Sequence, residues 1–479
     1  MNPTRRRDAW IQLICAAAIL GYFCYFAIPG LSARFTGDDM MNLDLYWLHG
    51  PWALIRAVFF FFSTYYRPMA GVFYMSIFHF AGLNPLPYRI VVFVILLANI
   101  WLAYRFATLL TGSRAIGGLT AFFTSYQAGL GDVTCNSGVI YDILCFTFYF
   151  SAFVYYLRLR VRGQIPGWQQ TAAFLAIYIC ALDSKEMAVS LPVMVLVYEL
   201  IFHAPARYTL RSVIQWTVRE GRAAFAGAIV TVVFIAGKLL GDDPLTKVDA
   251  YRPVFTLHNY AETVTRLYDG LFRPGYPRAP QLFIAAIFLA IAILTSPSRR
   301  LRYCCLHIAI TLLPIAFIPA RGTSCFYVVL PGVAIAVATI LWSTIQAVRR
   351  LPFEWQEQRV LQGTLLVLVL IPWIRFTEAN KGFVQTWLAS DQSKIWSVIE
   401  ELRRVNPRIP PGSSIVFLSD PFEDWTTEFI SHLWFRDHSL RMWLNQKTPL
   451  SQQDVATMDY IFKFDGPKLV QVKPARSGD

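Results

Sequence analysis

Eleven apolar runs, many of them joined by short loops that carry arginine, constrain this chain more than any other feature. They fall near 9–29, 88–110, 115–131, 138–157, 168–183, 187–203, 222–240, 281–295, 303–319, 324–346 and 360–376. Such runs suit helices that cross a bilayer, where each backbone amide is satisfied within its own segment. Several are shorter than the roughly 20 residues of a full span, so their ends are loosely fixed. Soluble domains average about 25% charged residues. This chain has 15%, with 56% hydrophobic residues and a mean hydropathy of +0.44. The sequence therefore describes an all-α polytopic membrane protein.

The net charge of +13 raises the question of nucleic acid, and its placement answers it. Residues 377–479 hold 12 Lys/Arg against 13 Asp/Glu, a balance of 12 − 13 = −1. The surplus lies in the short loops, where it orients helices and leaves no basic face for a nucleic acid. Arg5, Arg6 and Arg7, Arg114, the stretches 158–162, 207–222 and 299–302, and Arg349 with Arg350 all belong on the cytoplasmic side. Keeping them together leaves no room for a crossing at 69–83, a short run between Pro68 and Pro85 that contains His79. That run is expected to be an interfacial or re-entrant helix on the outer side; the alternative makes it a true span, with one later run failing to cross. About 11 transmembrane helices plus this interfacial helix result, with the N-terminus in the cytoplasm. The first run is too long for the apolar part of a cleavable signal. The eight cysteines suit neither a zinc site nor a disulfide framework and read as small packing residues.

The chain divides into a transmembrane domain, 1–376, whose first external loop is 30–87, and a small extramembrane α/β domain, 377–479. In the latter, 391–405 has helical periodicity at Ile395, Val398, Ile399 and Leu402. The stretch 414–418 reads as a buried strand that ends at the Asp420-Pro421 turn.

Ionisable residues then gather on the external side. Asp38 and Asp39 follow the first run closely. Capping explains one of them, since either acid can open a helix over 40–48 after Thr36-Gly37. The other reading is chemical: a carboxylate beside the bilayer accepts a proton from a substrate hydroxyl. Arg67, before Pro68, either anchors at the interface or binds phosphate through its fork of donors. Lys185 and Glu186 interrupt two apolar runs in an outward turn. They pair with each other, or Lys185 meets a phosphate. Asp142 and Arg321 pair structurally within the bundle or serve chemistry. The loop 241–280 adds Asp242, Asp243, Lys247 and Arg273. Glu199 and Lys238 lie inside apolar runs; Glu199 is expected to snorkel toward the cytoplasm and Lys238 sits near the outer end. No histidine pair has ligand spacing, so zinc has no support. Magnesium or manganese on Asp38 or Asp39 remains open, because oxygen ligands suit those ions.

In this order the residues resemble the GT-C membrane glycosyltransferases, a group that includes protein O-mannosyltransferases and the aminoarabinose transferase of lipid A. The similarity covers about 9–346. It rests on Gly37-Asp38-Asp39, Arg67-Pro68, Gly82-Leu83-Asn84 with Arg89, Asp142, Ser184-Lys185-Glu186 before Pro192, and Arg321 with Tyr327 and Leu330-Pro331-Gly332. No tetratricopeptide array follows, which argues against the protein acceptors of the repeat-bearing members. The resemblance implies a polyprenyl-phosphate sugar donor and membrane lipids as partners, an unidentified lipid, glycan or protein acceptor, and a bacterial inner membrane. It implies Asp38 or Asp39 as the base, Arg67, Lys185 and Arg321 on the donor phosphate, and Asp142, Glu186 and Tyr327 in support. No nucleotide site is needed, and no Gly-rich phosphate loop is present. Two other classes fit the same charges: a lipid or anionic-solute transporter, against which the absence of matched halves counts, and a non-catalytic membrane assembly protein.

Overall fold

Proline and glycine set the ends of the first helices. The computed structural model describes residues 3–62, 67–205, 207–241, 252–272, 280–319 and 322–473. Helix α1 (Pro3–Ala27) is followed by α2 (Gly37–Phe59), which breaks in its middle. Gly50 takes φ +78° there, a conformation that side chains resist, and Pro51 opens the second half, where its missing N–H is no loss. Helix α3 (Pro68–Ala81) also opens on proline and ends at Gly82. Its 14 residues span about 21 Å at 1.5 Å each, short of a bilayer core.

The run continues through α4 (Pro85–Thr111), α5 (Arg114–Ser125), the single turn α6 (Asp132–Cys135), α7 (Ile140–Val161), α8 (Trp168–Leu182) and α9 (Leu191–Phe202). Next come α10 (Leu210–Arg219), α11 (Arg222–Leu240), α12 (Leu257–Phe272), α13 (Pro280–Thr295), α14 (Arg299–Ala316), α15 (Leu330–Ala347) and α16 (Trp355–Asn380). Each of the eleven apolar runs lies on one of these helices. By length and composition, six stretches of the described residues are able to cross a membrane: 9–32, 85–111, 137–161, 222–240, 330–350 and one within 355–405.

Several boundaries differ from the sequence reading, among them two near the site. The run 115–131 is helical only to Ser125, after which the chain turns toward the site loop. The run 324–346 starts with a 3₁₀ turn over 323–328, and the helix proper begins at Leu330, where Pro331 fits the first turn.

Helix α7 is the centre of the bundle, with 72% of its apolar window buried against 6% for the window in α16. It packs between α4 and α8. A polar clamp pins it to α4: Asn99 donates to the Ile143 carbonyl at 3.2 Å and accepts from Thr147 at 2.8 Å. Such interhelical bonds hold helices together where lipid offers no hydrophobic drive. At the arginine-rich end, Arg160 meets Glu199 through two bonds of 2.8 and 2.9 Å, and Tyr156 donates to the same carboxylate. Glu199 does not snorkel. It is fully buried because a bidentate partner is within reach.

After α16 the chain forms α17 (Gly382–Val405), which contains the predicted 391–405 helix and begins earlier, then β1 (Ser414–Phe417), α18 (Thr426–Phe435), β2 (Arg441–Leu444), α19 (Gln452–Thr457), β3 (Tyr460–Asp465) and β4 (Lys468–Lys473). The sheet order is β2-β1-β3-β4. Strand β1 runs parallel to both neighbours, and its four residues are all buried, as its apolar sequence anticipates.

Candidate active site

The start of α2 separates the two adjacent aspartates. Thr36 caps the helix and Asp39, three residues on, closes the reciprocal bond to the Thr36 N–H at 2.9 Å. Asp39 is fully buried, and both its oxygens are taken. Oδ2 also accepts from Arg89 Nη2 at 3.1 Å, and the Tyr74 hydroxyl lies 3.2 Å from Oδ1. Arg89 spends its remaining donors on the Ala33 and Arg34 carbonyls and on Ser137. This is a structural lock that joins α2, α3, α4 and the loop before α7.

Asp38 is different. Among the described residues its carboxylate makes no hydrogen bond and no ion pair. It rests against Gly138, where an added Cβ would lie 2.5 Å from the Asp38 Cβ, so only glycine admits it. Burial, then the charges of Asp39, Asp391 and Asp424, hold its carboxyl above its ordinary pKa. A partly buried, unengaged carboxylate with a raised pKa has the properties of a general base.

Two cation–carboxylate pairs stand nearby. Lys185 Nζ donates to Asp142 at 2.6 Å and lies 3.2 Å from Cys325 Sγ. Burial opposes the charge on Lys185, but the charge of Asp142, its hydrogen bond and the neighbouring Cys325 together raise the ammonium above its ordinary pKa. Arg67 meets Glu186 through Nε at 3.2 Å and Nη2 at 3.1 Å, with its guanidinium 4.6 Å over the ring of Tyr141. Lys185 and Glu186 therefore do not pair with each other, one of the two readings the sequence left open for them, while Arg321, the sequence candidate for pairing with Asp142, lies outside the described residues. In the turn after Ser184, Lys185 and Glu186 reach different helices.

Polar groups link the Arg67 side of the cluster to the helix that carries Asp38. The Tyr141 hydroxyl donates to Asn42 Oδ1 at 2.6 Å, and Asn42 follows Asp38 by one turn of α2. Tyr46 donates to the Arg67 carbonyl at 2.8 Å and lies 3.3 Å from the Tyr141 hydroxyl.

The sequence reading missed the groups that the C-terminal unit brings. Asp391 on α17 accepts from the Gly37 N–H at 2.9 Å and so completes the α2 N-terminus. An added Cβ on Gly37 would lie 3.9 Å from Asp424. His432 on α18 pairs with Asp44 at 3.1 Å, and His438 stacks on Trp47 at 3.9 Å. Asp132, on α6, has a buried Oδ1 without a hydrogen-bond partner among the described residues. Burial, then Asp142, push its carboxyl up to about 7. The capping-box spacing from Thr36 to Asp39 was a readable signal for the lock; nothing local announced Asp391 or Asp424.

Tyr327 lies outside the charged cluster. It occupies the 3₁₀ turn and stacks on Phe146 at 4.5 Å, backing the helix that carries Asp142. Arg321, with Asp242, Asp243, Lys247 and Arg273, lies outside the described residues. Among the described residues no group of three or more His, Cys, Asp or Glu is arranged to hold a metal ion. Asp39 has no oxygen to spare for one.

The sequence matches no protein-family model and no curated protein. Solved structures do match. The crystal structure of ArnT from Cupriavidus metallidurans in the apo state aligns with a TM-score of 0.50 and 14% identity, covering 96% of this chain and 94% of ArnT. The same protein bound to undecaprenyl phosphate aligns with a TM-score of 0.49 at 14% identity, covering 98% of each chain. At that identity the likeness is one of fold. The chain has the fold of the aminoarabinose transferase ArnT, a GT-C fold built on membrane helices.

Proposed function

We propose that this protein is a glycosyltransferase that moves a sugar from a polyprenyl-phosphate donor to an acceptor hydroxyl at the external membrane face, with inversion. The observation that carries the reading is Asp38: an unengaged carboxylate with a raised pKa, one helical turn from the residues that lead to two paired cations. The shared fold with an aminoarabinose transferase supports the class of reaction.

In this reading Asp38 takes the acceptor proton as the hydroxyl oxygen attacks the anomeric carbon. The bond from that carbon to the phosphate oxygen breaks, and the lipid phosphate leaves with the electron pair. One base and one displacement give inversion. The leaving charge is met by Arg67 and Lys185, which Glu186 and Asp142 hold in place before substrate arrives. The sequence assigns Arg321 to the same role. A divalent ion is given no step; Asp38 is the carboxylate available to one. The N-terminus is cytoplasmic and the C-terminal unit outside, which puts the arginine loops in the cytoplasm.

The test is direct. Membranes containing the protein are incubated with radiolabelled polyprenyl-phosphate sugars and candidate acceptors. Labelled product, lost in Asp38→Asn, is the expected result. Movement of labelled lipid across the bilayer without product would support transport instead.

A further inference from the structure

A third cation stands beside the two already described. Lys238 is near the outer end of α11, within reach of the charges of Glu186, Asp183 and Arg67. Three packing contacts fix it there. An added Cβ on the preceding Gly237 would lie 2.6 Å from the Phe61 carbonyl oxygen, so α11 is pressed against Phe61, just after α2. Phe61 meets Phe234 edge-on at 5.3 Å, and the Lys238 ammonium lies 5.5 Å from the Phe234 ring centre. The Asp183 carbonyl accepts from the Met69 N–H at 3.3 Å, which ties the Ser184-Lys185-Glu186 turn to the residues after Arg67.

Asp183 is the anomaly in this corner. It is 1% exposed, yet its Oδ2 has no hydrogen-bond partner among the described residues. Native structures rarely leave a buried carboxylate oxygen unsatisfied without a use for it. The corner thus holds two cations, Arg67 and Lys238, and two acids, Glu186 and Asp183, where a membrane helix ends.

We propose that Lys238 is a further donor-phosphate ligand, acting beside Arg67, and that Asp183 positions it. The inference rests on the glycosyltransferase reading and names a residue that reading leaves unused. A monoester phosphate leaves with more charge than one guanidinium neutralises, and an ammonium brings three donors without fixed orientation. Lys238 adds a third positive charge to those of Arg67 and Lys185, on the Asp183 side of Arg67.

The experiment is binding of undecaprenyl phosphate and of undecaprenol to the detergent-purified full-length protein, by native mass spectrometry. The wild type should prefer the phosphate. Lys238→Gln should bind the phosphate about tenfold more weakly and undecaprenol unchanged, and Lys238→Arg should restore most of the preference. Asp183→Asn should weaken phosphate binding less than Lys238→Gln. If wild type and Lys238→Gln hold the phosphate equally, the inference is overturned and the enzyme reading survives. If Lys238→Gln weakens phosphate and undecaprenol alike, Lys238 is structural and the inference is again overturned. If the wild type shows no preference for the phosphate, both fail together.

Discussion

Buried ion pairs occur at both ends of the bundle, and they are not alike. At the arginine-rich end, Arg160 and Glu199 satisfy each other through two bonds, and Tyr156 takes a further place on the carboxylate. Among the described residues no polar atom of that trio is left over. At the opposite end, Arg89–Asp39, Lys185–Asp142 and Arg67–Glu186 stand close together, and around them acids remain unspent: Asp38, one oxygen of Asp132 and one of Asp183. A buried pair alone is weak evidence of function, because closing a charge inside a protein serves the fold. The surplus at one end is the better marker. It costs stability and persists only where something else engages it.

The contrast yields graded predictions. Glu199→Gln should have the largest effect on stability and none on chemistry. Leaving Arg160 buried and unpaired costs about 3–5 kcal/mol, read as a lower melting temperature in detergent, while the folded fraction keeps its donor KM. A changed KM would show that the two ends are coupled. Arg67→Ala should do the reverse: donor KM rises about tenfold, as expected for one lost charged contact, with a smaller change in melting temperature. An unchanged KM would make Arg67 an interfacial anchor.

A subtler effect concerns pH. Asp424 is one of the charges that raise the Asp38 pKa. A base with a raised pKa is lost to protonation as pH falls through that value, so activity fails on the acid side earlier than for an ordinary carboxylate. Removing the Asp424 charge lowers the Asp38 pKa, and in Asp424→Asn the acid limb of kcat/KM should move to lower pH. An unmoved limb would detach the C-terminal unit from the base. The smallest effect is expected for His432→Gln, which removes one partner of Asp44 and should cost about 1 kcal/mol, as for a single hydrogen bond.

The sequence made the helices legible and the pairings illegible, for one physical reason. Hydropathy is local, so each apolar run announces its own helix, and proline and glycine announce where helices end. An ion pair is not local. Arg67 and Glu186 are 119 residues apart, and Lys185 and Asp142 are 43 apart. Adjacency in the chain therefore suggested a Lys185–Glu186 pair that the turn geometry forbids. The acid pair was half legible. Thr36 with an acid three residues on has the spacing of a capping box, but the sequence reading left open which of the two acids caps, and the coordinates assign that role to Asp39. The acids that surround Asp38 come from α17 and the loop before α18, more than a full bundle away in sequence, and no local pattern carries them.

The central claim is a division of labour between neighbours: Asp38 for chemistry, Asp39 for the fold. Sugar transfer and melting temperature measured together on Asp38→Asn and Asp39→Asn test it. The account predicts that Asp38→Asn melts like the wild type and loses transfer by about 100-fold or more, the usual contribution of a general base, whereas Asp39→Asn melts early because Arg89 loses its only carboxylate among the described residues. Normal transfer by Asp38→Asn, or an unaltered melting temperature in Asp39→Asn, would contradict it.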